Sequence, residues 1–113
     1  MKLAHITVHT NKAKEIIEFY KTYAGLDIIR AFGNITFIGD NAEGTLIEII
    51  ADENTQYSGS GLSIGFACDG LEEKRDELIK GGFAPTDFIS PNPMVNFFFV
   101  NDPSGLTVQF IAQ

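Results

Sequence analysis

The chain opens on an alternation of period two. From position 3 to 9, Ala4, Ile6 and Val8 fall on one side and His5, Thr7 and His9 on the other. This predicts a strand with one covered face and one mixed face. Thr10-Asn11 supplies a helix N-cap, and Ala13, Ile16, Ile17, Tyr20 and Tyr23 then keep helical spacing as far as a stop at Gly25. Three β-like runs follow at residues 26–32, 34–38 and 45–50, divided by the turn dipeptide Gly33-Asn34 and by a loop at residues 40–44. The predicted order is β-α-β-β-β.

Residues 51–60, ADENTQYSGS, are polar and read as a connector. The pattern then returns. Leu62, Ile64 and Phe66 alternate with Ser63, Gly65 and Ala67, and Asp69 with Glu72 has the form of a capping box before the helix LEEKRDELIK. Gly81-Gly82 ends that helix, and further β-like runs are predicted at 83–89, 94–100 and 106–111. Pro91 and Pro93 mark the first turn between them, and Asn101-Asp102-Pro103-Ser104-Gly105 the second. The expected class is α+β, built as one domain from two modules, residues 1–50 and 61–113. Identity between the halves is slight, so the repeat is one of pattern.

Strand parity carries this reading toward chemistry. If Ile6 and Val8 face the helix, His5 faces away; if Ile64 and Phe66 face inward, Ser63 faces away. Thr45, Ile47 and Ile49 oppose Leu46, Glu48 and Ile50, while Val108 and Phe110 oppose Thr107, Gln109 and Ile111. Laying the halves together pairs His5 with Ser63 and Glu48 with Gln109. An ionised carboxylate between Leu46 and Ile50 needs a partner, a metal or a proton. Glu48 therefore asks for an explanation, and His5 is a candidate to supply part of it.

Composition narrows the partners. The 113 residues carry a formal charge of −7, from 15 acidic and 8 basic side chains. The basic residues are scattered, which excludes nucleic acid and an anionic membrane surface as main partners. A single cysteine, Cys68, excludes an internal disulfide and a cysteine-based zinc cage. No secretory leader is read at the N-terminus, and the longest apolar burst, residues 97–100, is far too short for a bilayer. A cytoplasmic location is expected. Ten phenylalanines suit a core or an aromatic pocket. Each module, at about 50 residues, is below the size that usually folds alone.

The segments LAHITV, IIEFYKTYAGLDI, GTLIEII, GLSIGFACDGLEEKRDELIKGGF and FFFVNDPSGLTVQFI resemble the vicinal oxygen chelate superfamily. That superfamily includes glyoxalase I, bleomycin- and fosfomycin-resistance proteins and extradiol dioxygenases, and the resemblance spans essentially the whole chain. It implies two βαβββ modules forming facing curled mixed sheets, helices on the convex side, around a divalent metal. It implies a ligand position on the first and last strand of each module: His5, Glu48, Ser63 and Gln109. His5, Glu48 and Gln109 are the metal ligands so implied, for Zn, Ni, Mn or Fe. Ser63 stands where the family usually has histidine, and a neutral hydroxyl is a poor donor, so it is assigned to substrate. The family commonly places its catalytic base on the last strand, where Gln109 cannot accept a proton; Glu48 is then the catalytic residue. A two-histidine, one-carboxylate triad cannot be assembled here, which disfavours dioxygenase chemistry.

The leading expectation is a glyoxalase-like, lactoylglutathione lyase-related metal-dependent lyase or isomerase acting on a small oxygenated substrate, without an organic cofactor. Arg30 is the one well-placed basic residue for substrate, on a strand face that parity leaves open, and the acidic chain counts against glutathione itself. The alternative is a metal-free protein of the bleomycin-resistance type that sequesters a small molecule in an aromatic-lined cleft. A third reading is a regulatory subunit with a vestigial cleft. Open apolar sheet faces predict a symmetric homodimer.

The remaining residues read as structure. His9 lies about 13 Å from His5 along the strand, too far to share a metal. Cys68 has no adjacent base and reads as a small buried residue. The 101–105 segment is a turn, Phe97, Phe98 and Phe99 must divide between the sheet faces, and Glu72-Glu73 complement a helix N-terminus. GSGLSIG lacks the lysine and element order of a phosphate loop.

Overall fold

A computed structural model describes all 113 residues. They divide into two compact units, Met1–Tyr57 and Ser58–Gln113, so the division falls inside the expected connector. Each unit holds one four-stranded mixed sheet and one helix, giving the α+β class and the βαβββ order twice.

In the N-terminal unit the elements are β1 (His5–Thr10), α1 (Ala13–Ala24), β2 (Asp27–Phe32), β3 (Ile35–Gly39) and β4 (Leu46–Ala51). The sheet order is β1-β4-β3-β2, with β1 parallel to β4 and the other pairs antiparallel. Val8, Ile38, Ile47 and Ile49 form its buried face, and α1 packs on β4 with Ile16, Phe19 and Tyr20. Each such side chain contributes roughly 1.5–3 kcal/mol by leaving water. The expected Thr10 cap is not made. Thr10 stays in the sheet opposite Ala51, Lys12 occupies the N-cap, and Thr10 Oγ1 accepts the Lys12 N–H at 3.0 Å. Gly25 ends α1 as read from sequence, at φ 67°, where a side chain would be strained.

The C-terminal unit holds β5 (Ser63–Cys68), α2 (Leu71–Lys80), β6 (Ile89–Asn92), β7 (Val95–Asn101) and β8 (Thr107–Ala112), in sheet order β5-β8-β7-β6. Phe98, Val100, Val108 and Phe110 are buried on one sheet face, and Leu71 and Leu78 of α2 are buried with them. Phe98 and Phe110 stack at 5.5 Å between centroids. Two expectations need correction. The Asp69–Glu72 capping box does not form, because Gly70 at φ 64° takes the N-cap and turns the chain directly into α2. The strand expected at 83–89 starts only at Ile89. Before it the chain is pinned by single bonds: Thr86 N–H to the Phe99 carbonyl at 2.8 Å, and Arg75 Nε to the Thr86 carbonyl at 2.8 Å. Pro91 falls within β6, an edge strand where a missing N–H is tolerated.

Candidate functional site

In each unit the candidate residues lie on the sheet face opposite the helix. Register places four residues of the N-terminal unit directly across from one another: Thr7 on β1, Glu48 on β4, Phe37 on β3 and Arg30 on β2. His5 precedes Thr7 on the same face, and its Nε2 lies 3.5 Å from Glu48 Oε1. Thr7 Oγ1 donates to that same oxygen at 2.5 Å. Both contacts fall on Oε1, and Oε2 has no partner in the chain. The Glu48 side chain is only 15 % exposed, against 42 % for His5, so the hydroxyl and imidazole offset part of its desolvation.

Phe37 is the floor of this cluster. The His5 ring meets it edge-on at 5.6 Å, Phe32 lies 6.3 Å away, and the Arg30 guanidinium sits 4.2 Å over the ring. Arg30 makes no ion pair. The register explains why parity could not assign its face. Ile28 pairs with Ile38 and Arg30 with Phe37, so β2 advances two residues while β3 advances one. That bulge moves Arg30 from the helix-covered face to the open one.

The equivalent row of the C-terminal unit is neutral. Gly65 lies opposite Gln109 and Gln109 opposite Phe99, whose backbone is held by Thr86. Thr7 and Gly65 are therefore counterparts, as are Glu48 and Gln109, and Phe37 and Phe99. A Cβ on Gly65 would meet Gln109 Oε1 at 3.1 Å, so the absent side chain leaves room for the amide. Ser63 pairs with Thr107, mirroring His5 with Leu46, and both line a 320 Å³ pocket with Ser60, Gly61, Leu62 and Phe99. Thr7 and Phe37 were not singled out from sequence, whereas Phe99 is the member of the Phe97–Phe99 run set opposite Gln109. Thr7 shares the parity of His5, but only the β1–β4 register sets it against Glu48.

The other titratable groups have structural explanations. His9 is exposed opposite Ile50. Cys68 is buried, its Sγ donates to the Asp69 carbonyl at 3.2 Å, and burial pushes its thiol pKa up. Asp102 accepts from Ser104 N–H, Ser104 Oγ and Leu106 N–H, which confirms the 101–105 segment as a turn. The Thr55 hydroxyl and then the Asn54 N–H hold the Asp52 carboxyl below the ordinary range, closing a turn at the start of the connector.

A divalent ion, as the family resemblance implies, would call on His5, Glu48, Gln109 and Ser63. Nowhere in the chain do three His, Cys, Asp or Glu side chains come together. The one imidazole and one carboxylate are in contact with each other, and the remaining two donors are a neutral amide and a neutral hydroxyl. This donor set does not fit a tightly held resident ion.

Two four-stranded β1-β4-β3-β2-type sheets, each with a helix on one face and polar residues at matched positions on the other, define the vicinal oxygen chelate fold. The family model described as Glyoxalase/Bleomycin resistance protein/Dioxygenase superfamily matches residues 2–110, and the chain belongs to that superfamily. Among solved structures it is similar to glyoxalase I of Leishmania major, described as trypanothione-dependent, at 16 % identity and TM-score 0.81 over 99 % of this chain and 86 % of that one. It is similar also to the lactoylglutathione lyase of Agrobacterium tumefaciens, at 10 % identity and TM-score 0.73 over 96 % and 91 % of the two chains. The oxidase ChaP-H2 matches at 12 % identity and TM-score 0.78, over 100 % of this chain and 94 % of its own. At these identities the likeness concerns the fold. A search among curated proteins finds no match.

Proposed function

We propose that this chain binds a small organic molecule on the open face of its N-terminal module, without a resident metal. One observation carries the reading: the Thr7–Glu48–Phe37–Arg30 row joins a held carboxylate, an aromatic floor and a guanidinium without an ion-pair partner. Pockets of this kind combine apolar lining with a few placed polar groups. Ser63, with Thr107 and Phe99, offers a neutral hydroxyl-lined pocket in the second module. The decisive experiment is elemental analysis of protein purified without added metal, followed by calorimetry with Zn, Ni and Mn and a thermal-shift screen of small molecules. A stoichiometric ion, or tight metal binding, would overturn the metal-free reading.

A second reading is favoured by the free Oε2 of Glu48. There the chain is a glyoxalase-like lyase or isomerase, and Oε2 takes the proton from a hydroxyl-bearing carbon beside a carbonyl and returns it to the former carbonyl carbon, while the hydroxyl proton passes to the other oxygen. Turnover of such a substrate that Glu48→Gln abolishes would establish it. No helix is long and apolar enough to cross a membrane. A cytoplasmic homodimer accompanies either reading, to be checked by fractionation and by light scattering.

A further inference from the structure

Phe37 sits between side chains of opposite charge. Glu48 lies directly across β4 and Arg30 directly across β2. At the usual strand spacing their Cα atoms are about 10 Å apart, and the guanidinium leans inward over the Phe37 ring at 4.2 Å. The two charges are not spent on each other. Glu48 Oε1 is met by His5 and Thr7 and its Oε2 remains open, while Arg30 pairs with no carboxylate. A guanidinium held over an aromatic ring and without an ion pair still has N–H donors for a carboxylate. Phe32, 56 % exposed and two residues beyond Arg30, offers apolar surface beside this pair.

From this we infer that the site takes an amphoteric ligand: a carboxylate or similar anion for Arg30, an ammonium or comparable donor for Glu48, and a short flat body between them. The inference rests on the small-molecule-binding reading and names its ligand class. The overall charge of −7 supports it. A simple anion is repelled by the field of the chain, a simple cation leaves Arg30 unused, and a zwitterion meets neither cost. The neutral counterpart row, Gln109 and Phe99 with Thr86, confines this polarity to the N-terminal module.

The test is an NMR-monitored titration of the full chain with para-aminomethylbenzoate, benzoate and benzylamine. The zwitterion is expected to bind about tenfold tighter than either half-ion, moving signals of His5, Phe37 and Arg30. Arg30→Met removes its preference over benzylamine, and Glu48→Gln its preference over benzoate. Arg30 is exposed, so its variant carries the test even if Glu48→Gln fails to fold. Equal affinity of the three probes, or no saturable shift with any, overturns the inference. In that event the broader reading still stands or falls on the compound screen, where any neutral ligand that moves the same signals sustains it.

Discussion

Replacing Thr7 by valine removes one hydroxyl and keeps the shape of the side chain. The lost bond is a charge-assisted O–H···O⁻ contact of 2.5 Å to Glu48 Oε1, at the short end of its class. Bonds to charged groups contribute roughly 1.5–3 kcal/mol. Thr7 is exposed and the Glu48 side chain is 15 % exposed, so water replaces part of that, leaving about 1 kcal/mol. The strand preference of valine offsets only a few tenths. Thr7→Val should therefore lower Tm by about 4 °C, while Thr7→Ser should recover most of the loss. Urea denaturation followed by circular dichroism, run on Thr7→Val, Glu48→Gln and the double variant, isolates the pair. The expected coupling is about 1 kcal/mol, well above the few tenths seen between independent sites. A Thr7→Val protein as stable as the parent, or single effects that simply add, would refute the claim that Thr7 holds this carboxylate.

Asp52 titrates below the ordinary carboxyl range because Thr55 and Asn54 bond its charged form. Its contribution is present above the unfolded carboxyl pKa and lost as pH falls through the folded one; Thr55→Val should move its titration, read by carbon NMR, upward. The buried thiol of Cys68 is shifted the other way, chiefly by desolvation. That contribution is present below the unfolded thiol pKa and fades as pH rises through the folded one, so native protein near about pH 8 should react with an aromatic disulfide far more slowly than denatured protein. Gly65→Ala puts a methyl 3.1 Å from Gln109 Oε1, the far end of a flexible side chain. Stability should change by less than about 0.5 kcal/mol, yet the Gln109 amide signals should move. Phe98 is fully buried, and Phe98→Ala should cost about 3–5 kcal/mol of unfolding free energy, read by urea denaturation, a large share of the stability of a small domain.

What could be read ahead of the structure was whatever period two controls without interruption. His5, Glu48, Ser63 and Gln109 lie on uninterrupted strands, and each occupies the open face that parity assigned. Arg30 escaped because the β2 bulge is a property of pairing, invisible in one strand taken alone. The 83–89 run failed for a related reason. Its residues are apolar enough for a strand, but one backbone bond from Thr86 to Phe99 and side-chain bonds from Thr86 and Arg75 stand in for a continuous ladder until Ile89. The helix starts failed because cap chemistry was assigned from residue type, whereas sheet pairing held Thr10 and the left-handed backbone of Gly70 preceded the helix.

The two modules share one backbone register and differ in what that register presents. Position by position, threonine faces carboxylate in one, and glycine faces amide in the other, with phenylalanine next in both. The difference is coordinated across strands. A side chain at 65 would crowd the Gln109 amide, whereas a glycine at 7 would leave Glu48 without its hydroxyl donor. Each partner on the first strand therefore suits the group on the last strand of its own module, as expected of a cross-strand pair that contributes to the sheet. Oε1 of Glu48 is thus held by a hydroxyl donor, and no group of three His, Cys, Asp or Glu side chains gathers beside it. The same arrangement leaves Oε2 of Glu48 without a hydrogen-bond partner and Arg30 without an ion pair. These are the features of the N-terminal module on which the proposed binding of an organic molecule rests.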